Sequence, residues 1–128
     1  MELNTHLKID TTLNGKVIEL KEGYAKVKLL TTELMVADER GLVHGGFAFG
    51  AADYAAMSAV NDPNVVLAKS ETKFLAPVKV GETIVFEANI AKSDGSKHTV
   101  EVSGSVGNKK VFAGTFYTVI LKKHVFDL

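Results

Sequence analysis

The segment Gly45–Val60 restricts the possible folds more than any other part of this chain. It reads Gly-Gly-Phe-Ala-Phe-Gly-Ala-Ala-Asp-Tyr-Ala-Ala-Met-Ser-Ala-Val. Alanine at this density has strong helix propensity. The helix is expected to end before Asn61-Asp62-Pro63, because proline cannot continue it. Its length would be about 24 Å at 1.5 Å per residue. Almost every side of it is apolar, so it belongs inside a protein, not half in water. The rest of the chain must therefore supply its cover.

That cover reads as strands. Val17–Leu20 and Tyr24–Leu30 flank a turn at Lys21-Glu22-Gly23. In the second run Ala25, Val27 and Leu29 alternate with Lys26 and Lys28, the pattern of a strand with one wet face. Thr31–Leu42 has no clear period. Beyond the helix come Val65–Leu75, a turn over Pro77 to Gly81, Thr83–Ala91, a loop at Ser93-Asp94-Gly95-Ser96, His98–Val106 and Val111–Leu121. Gly107-Asn108 has the chemistry of a two-residue hairpin turn. The order β-β-α-β-β-β-β is an α+β layout, with a curved antiparallel sheet wrapped around one buried helix.

A chain of 128 residues with no repeat or Pro/Ser-rich linker is expected to be one domain, 1–128. Its fifteen basic and fifteen acidic residues cancel, which argues against a nucleic-acid partner. Arg40 is the only arginine, so bidentate phosphate clamping is not a general strategy here. There is no cysteine, which excludes disulfides, a thiolate nucleophile and a cysteine-bound zinc. Neither a signal pattern at Met1–Asp10 nor a membrane-length apolar run is present, and a cytoplasmic location is the expectation by default.

Two features carry chemistry. Asp53 lies among Phe49, Gly50, Ala51, Ala52, Tyr54, Ala55, Ala56 and Met57, with no cation one turn away. An ionised carboxylate in dry surroundings is costly unless paired. Set in such a wall it becomes a general base or nucleophile with a tuned pKa; on a narrow solvated strip it would be ordinary. The second feature is His44-Gly45-Gly46, where the helix begins. The first amides of a helix lack intrahelical acceptors and sit at the positive end of its dipole. With glycine there, a reacting carbonyl can approach closely enough for such an amide to stabilise its oxyanion. The plain alternative is a flexible loop-to-helix turn. Gly45 and Asp53 are eight residues apart, about 12 Å along one helix. A single carbonyl cannot touch both. If they cooperate, Asp53 comes from a second subunit whose helix runs antiparallel, at a two-fold interface.

The run Arg40-Gly-Leu-Val-His44-Gly-Gly-Phe-Ala-Phe-Gly-Ala-Ala-Asp53-Tyr-Ala-Ala-Met resembles the motif of hotdog-fold acyl-CoA thioesterases of the phenylacetic-acid-degradation type, within the 4-hydroxybenzoyl-CoA thioesterase-like superfamily. Those enzymes share a His-Gly-Gly turn and an acidic residue nine positions after the histidine. Phe74-Leu-Ala-Pro77 with Gly81-Glu82 is similar to the strand and turn that follow their helix. The resemblance implies a homodimer or dimer of dimers that hydrolyses acyl-CoA without metal or cofactor. It implies an oxyanion amide from Gly45, a turn shaped by His44 that also meets the acyl carbonyl, and Asp53 of the partner attacking directly or activating water. Gly46, Asp38, Phe49, Met57 and Phe74 are the expected substrate-binding residues, with Phe47 and Tyr54 as further pocket linings. Lys69, Lys73, Lys79, Lys109 and Lys110 are the lysines available to coenzyme A phosphates.

The chain departs from the family at two places. Asp38 stands where an asparagine is common, either as a second carboxylate near Asp53 or as part of a solvated loop. Where some members have a serine, this chain reads Val65-Val66-Leu67-Ala68, and Ser70 is out of register. Two other functions compete. One is a non-catalytic acyl-CoA-binding hotdog module; Asp53 and the lack of an appended DNA-binding segment weigh against it. The other is a hotdog dehydratase, whose proline-containing histidine loop is not seen here.

Overall fold

Alternating apolar and polar side chains build a sheet with one dry face, and that face is laid against the helix. The computed structural model describes all of residues 1–128. A single helical turn, α1 (Thr11–Asn14), leads into β1 (Lys16–Lys21) and β2 (Tyr24–Leu30). The long helix α2 (Gly45–Val60) follows, then β3 (Val65–Phe74), β4 (Thr83–Asp94), β5 (Lys97–Val106) and β6 (Lys109–Ile120). The six strands form one antiparallel sheet in the order β1-β2-β4-β5-β6-β3. This is the expected hotdog arrangement. β1 and β3 are its edges. No helix is long and apolar enough to cross a membrane.

Helix α2 packs chiefly on β2 and β4, in the middle of the sheet. Ala25, Val27 and Leu29 of β2 and Ile84, Phe86 and Ala88 of β4 are completely buried beneath it. Its alanines (Ala48, Ala51, Ala52, Ala55, Ala56 and Ala59) let the strands approach closely, and bulk comes from the sheet. Phe86, Phe112 and Phe116 form an aromatic row, with Phe86 edge-on to Phe112 at 5.7 Å between centroids. Each such ring contributes about 1.5–3 kcal/mol through burial. The side of α2 away from the sheet is less covered. Gly46, Phe49, Gly50 and Asp53, spaced as one helical stripe, are half-buried or exposed in the protomer.

The helix boundaries match those expected, but its end has a more local cause than Pro63. Asn61 takes the left-handed conformation (φ 56°), and its amide bonds back to the Met57 carbonyl. The Asn61 side chain also accepts from the Asn4 amide and donates to the Glu2 carbonyl, which ties the N-terminal strap to the helix end. The loop expected at Ser93–Ser96 is shorter than the sequence suggested. Ser93 and Asp94 belong to β4, paired with His98 and Lys97, and only Gly95 and Ser96 turn, with Gly95 at φ 60°. The irregular stretch Thr31–Leu42 contains a short 3-10 turn, Glu33–Met35, and Met35 is completely buried. The α1 turn was not expected; the Asp10 carboxylate caps it through the amides of Thr12 and Leu13.

Gly104 faces the core from β5. A β-carbon there would lie 2.7 Å from Cε1 of Phe86 and 3.2 Å from Cβ of Phe112. Neither ring has room to yield within this row. Gly104→Ala is expected to cost about 1–3 kcal/mol through overpacking, to be measured by urea unfolding. An unchanged midpoint would show that the ring row is loosely packed.

Candidate functional site

The start of α2 is built so that two amides stay open. His44 is the N-cap in extended conformation, and its side chain makes no capping bond. Its own amide donates to the Met35 carbonyl at 2.8 Å, which anchors the turn on the buried methionine. The imidazole folds over Gly46, with Nε2 at 2.9 Å from where a β-carbon would stand. It also meets Phe47 edge-on at 6.0 Å. The amides of Gly45 and Gly46 lie in the first turn, where no intrahelical acceptor exists. Neither donates to any loop or side-chain acceptor. A side chain at 45 would press on the aromatic ring beside it: Cε1 of Phe74 would stand 3.1 Å from an added β-carbon, so the ring would have to shift. Phe74 rests edge-on against Phe112 at 5.5 Å, yet remains largely exposed.

Gly45, Ala48 and Phe74, with Leu42, Val43 and Val78, line an apolar groove of about 400 Å³. Through Leu42, Pro77 and Val78 the groove adjoins a polar pocket of about 460 Å³ bordered by Asp38, Arg40, Lys79 and Glu82. Apolar walls with a few polar groups at one end are the usual make-up of a small-molecule site.

Asp53 lies two turns further along α2, on the open stripe. Its Oδ1 is buried and has no hydrogen-bond partner. Burial alone pushes the carboxyl up from 3.8 to about 6, since the charged form loses water and gains nothing in return. Like-charge repulsion from Asp38 is not the cause. The Asp38 side chain is exposed, and its Oδ1 accepts from the amides of Arg40 and Leu42 at 2.9 and 3.1 Å. That bonding gives Asp38 a part in shaping its own loop, and the residue also borders the polar pocket.

The structure sorts the other expected site residues. Gly45 and Phe74 meet in the groove, and Gly46 borders His44. Phe49 is half-buried and stacks obliquely on Phe116 at 5.6 Å. Met57 is 1% exposed within the core and lines neither the groove nor the polar pocket, because its side of α2 faces the sheet. Tyr54 is likewise core, beneath the N-terminal strap and 6.2 Å from the His6 ring. Of the five lysines, only Lys79 borders the groove region. Ser70 points inward with its Oγ buried and unbonded. Asn14, not singled out from sequence, places its amide oxygen 3.0 Å from the β-carbon position of Gly50, on the stripe that carries Asp53. The contact joins residues far apart in the chain, and no local pattern announces it.

Comparison with known proteins places this site in a family. Residues 40–113 match the family model of the thioesterase superfamily. The chain is 54% identical over 121 residues to methylthioribose-1-phosphate isomerase of Aquifex aeolicus, covering 94% of this chain and 26% of that protein. It is 31% identical over 110 residues to the transcription factor FapR of Caldanaerobacter subterraneus, covering 85% of this chain and 55% of that one. The chain thus spans about a quarter and about half of these two relatives. Among solved structures, protein PH1136 from Pyrococcus horikoshii superposes with a TM-score of 0.98 at 51% identity, over 99% of this chain and 98% of that one. A hypothetical thioesterase from Streptococcus pneumoniae, crystallised with coenzyme A, shares the fold at a TM-score of 0.77 and 15% identity, over 87% and 88% of the two chains. With the open helix start and the buried acid both inside the matched region, the chain belongs to the thioesterase superfamily.

Proposed function

We propose that the protein hydrolyses an acyl-CoA thioester to a free carboxylic acid and coenzyme A, at sites shared between two subunits. The observation that carries this reading is the half-buried Asp53 carboxylate on the open stripe of α2, its Oδ1 buried without a hydrogen-bond partner and its pKa raised to about 6. In this reading the thioester carbonyl lies at the Gly45 amide, with the acyl group in the apolar groove. The partner's helix runs antiparallel and brings its own acid to the same carbonyl. The acid takes a proton from water as water attacks the carbonyl, or attacks it directly to give an acyl-aspartyl anhydride that water then hydrolyses to the free acid. The oxyanion that forms is held by the amide, and its collapse expels the coenzyme A thiolate. Family membership and the coenzyme A found in a structural neighbour support the substrate class.

A second reading, binding of acyl-CoA without turnover, is favoured by the 31% identity to a transcription factor. The two readings part at Asp53. A binding module gains nothing from an acid whose charge is uncompensated beside its ligand.

Hydrolysis of an acyl-CoA panel, followed by thiol release, is expected to fall by about a hundredfold or more in Asp53→Ala, the scale of a lost positioned base. Tight binding with no thiol release from the parent would establish the binding module instead. The parent's kcat/KM is expected to rise with pH through about 6 and then level, as the carboxylate ionises.

The same acid makes an opposite demand on stability. A carboxyl whose folded pKa exceeds its unfolded value favours the fold when protonated, and that advantage fades as pH rises from about 4 to about 6. Asp53→Asn is therefore expected to stabilise the protein above pH 7 by up to about 3 kcal/mol, at 1.36 kcal/mol per pKa unit, and by little near pH 4. Thermal melts at equal protein concentration check this; an equal shift at both pH values would refute the dry-carboxylate description.

Sharing of the site is tested by mixing subunits. Gly45→Val drives a branched side chain into the Phe74 ring and is expected to abolish turnover on its own. A mixed dimer of Gly45→Val and Asp53→Ala chains keeps one intact pair of groups and is expected to recover activity that neither homodimer has. Absence of recovery would overturn the cooperation of Gly45 and Asp53 across the subunit boundary.

A further inference from the structure

The outer face of the sheet, away from α2, carries a feature that the thioesterase reading does not use. Along β4, Ile84, Phe86, Ala88 and Ile90 point toward the helix, and an unbroken period of two would send Lys92 the same way. The register slips between Ile90 and Lys92: Ile90 pairs with Val100 and Lys92 with Thr99, leaving Ala91 as an extra residue. In β3 the same device recurs. Leu67 pairs with Thr118 and Lys69 with Tyr117, leaving Ala68 as the extra residue. Each bulge turns a lysine from the core side to the outer side, on strands whose cross-sheet neighbours are Thr99 and Tyr117. Bulges that re-aim side chains are over-represented beside functional sites.

The re-aimed lysines border one concavity. Lys69, Lys92, Lys97, Thr99 and Tyr117 line a pocket of about 410 Å³, with Asp94 as its one acidic residue. It shares no residue with the groove or the polar pocket at the helix start. Lys69 lies in the middle of β3, five residues and roughly 17 Å along the strand from Phe74. Lys92 and Lys97 form no ion pair. The Lys69 ammonium stands 5.3 Å from the centroid of the Tyr117 ring. That ring is held in place by its hydroxyl, which donates to Glu71 at 2.9 Å. Lys69 also pairs with Glu71 at 4.0 Å, so the positive charge free to meet a ligand beside this aromatic ring comes chiefly from Lys92 and Lys97.

We propose that this pocket binds the phosphates and base of a nucleotide, with Lys69, Lys92 and Lys97 meeting the phosphates and Tyr117 flanking the base. Ammonium groups on flexible stems suit a phosphate chain as point charges. An aromatic face offers stacking to the base. The nucleotide has two possible sources, the adenosine-phosphate end of coenzyme A or a free nucleotide.

ADP is the probe, titrated calorimetrically into the intact protein at low ionic strength, where no turnover is needed for a signal. The parent is expected to bind ADP, and Lys92→Glu/Lys97→Glu to weaken it by at least about tenfold. Lys28→Glu, an exposed lysine elsewhere on the outer face, serves as the charge control and is expected to leave ADP binding as it was. Tyr117→Leu is expected to weaken ADP more than inorganic phosphate. Displacement of ADP by coenzyme A but not by pantetheine assigns the pocket to the nucleotide end of coenzyme A. ADP binding that coenzyme A leaves untouched assigns it to a free nucleotide. No ADP binding by the parent at millimolar concentration, or equal loss in Lys28→Glu, overturns the proposal. Because the readout is binding, a protein inactive toward thioesters still tests it.

Discussion

One unpaired charge governs how the rest of this molecule is to be understood. Asp53 loses water on folding and receives no hydrogen bond at Oδ1 in exchange, so the fold holds it against its preference. The alanine surface of α2, pressed into the sheet by Leu29, Ile84 and Phe86, provides the stability that makes this tolerable. The same close packing fixes the helix start. There the Met35 carbonyl accepts from the His44 amide, the Phe74 ring lies close over Gly45, and two amides are left without acceptors. Rigidity at one end of the helix and discomfort in its middle are produced by the same core.

Much of this was legible because the sequence punctuates itself plainly. The alanine run between Gly45 and Val60 announced a helix, and the alternation of Ala25, Val27 and Leu29 with lysines announced β2. The acid and the Gly-Gly turn stood out as breaks in an otherwise uniform pattern. What stayed hidden was set by contacts distant in sequence. The stretch after β2 is held by Thr31, whose hydroxyl donates to the Glu82 carbonyl at 2.6 Å, and by the Met35–His44 bond. Neither bond has a local signature.

Direction was harder to read than element type. A helix apolar on all sides gives no clue to which side meets the sheet, so Met57 and Phe49 looked equivalent although one is core and the other borders the open stripe. The bulges at Ala68 and Ala91 had the same effect on strands. An alanine inserted into an alternating run reverses every residue after it, so the faces taken by Lys69 and Lys92 cannot be read from strand period alone. Asp38 was left between two readings by the sequence, and the structure adds that its carboxylate closes the loop carrying Arg40 and Leu42 while bordering the polar pocket.

The two sheet edges have a consequence for how the chain behaves in a crowd of its own copies. An open sheet offers unpaired backbone groups along β1 and β3, and a flat greasy edge of that kind invites runaway strand addition. Here each edge is interrupted by a bulge, at Ile18 in β1 and Ala68 in β3, and studded with Lys16, Glu19 and Lys21 or with Lys69, Glu71 and Lys73. Indiscriminate lateral growth into fibrils is opposed at both borders, and only a surface matched in both kink and charge can dock there.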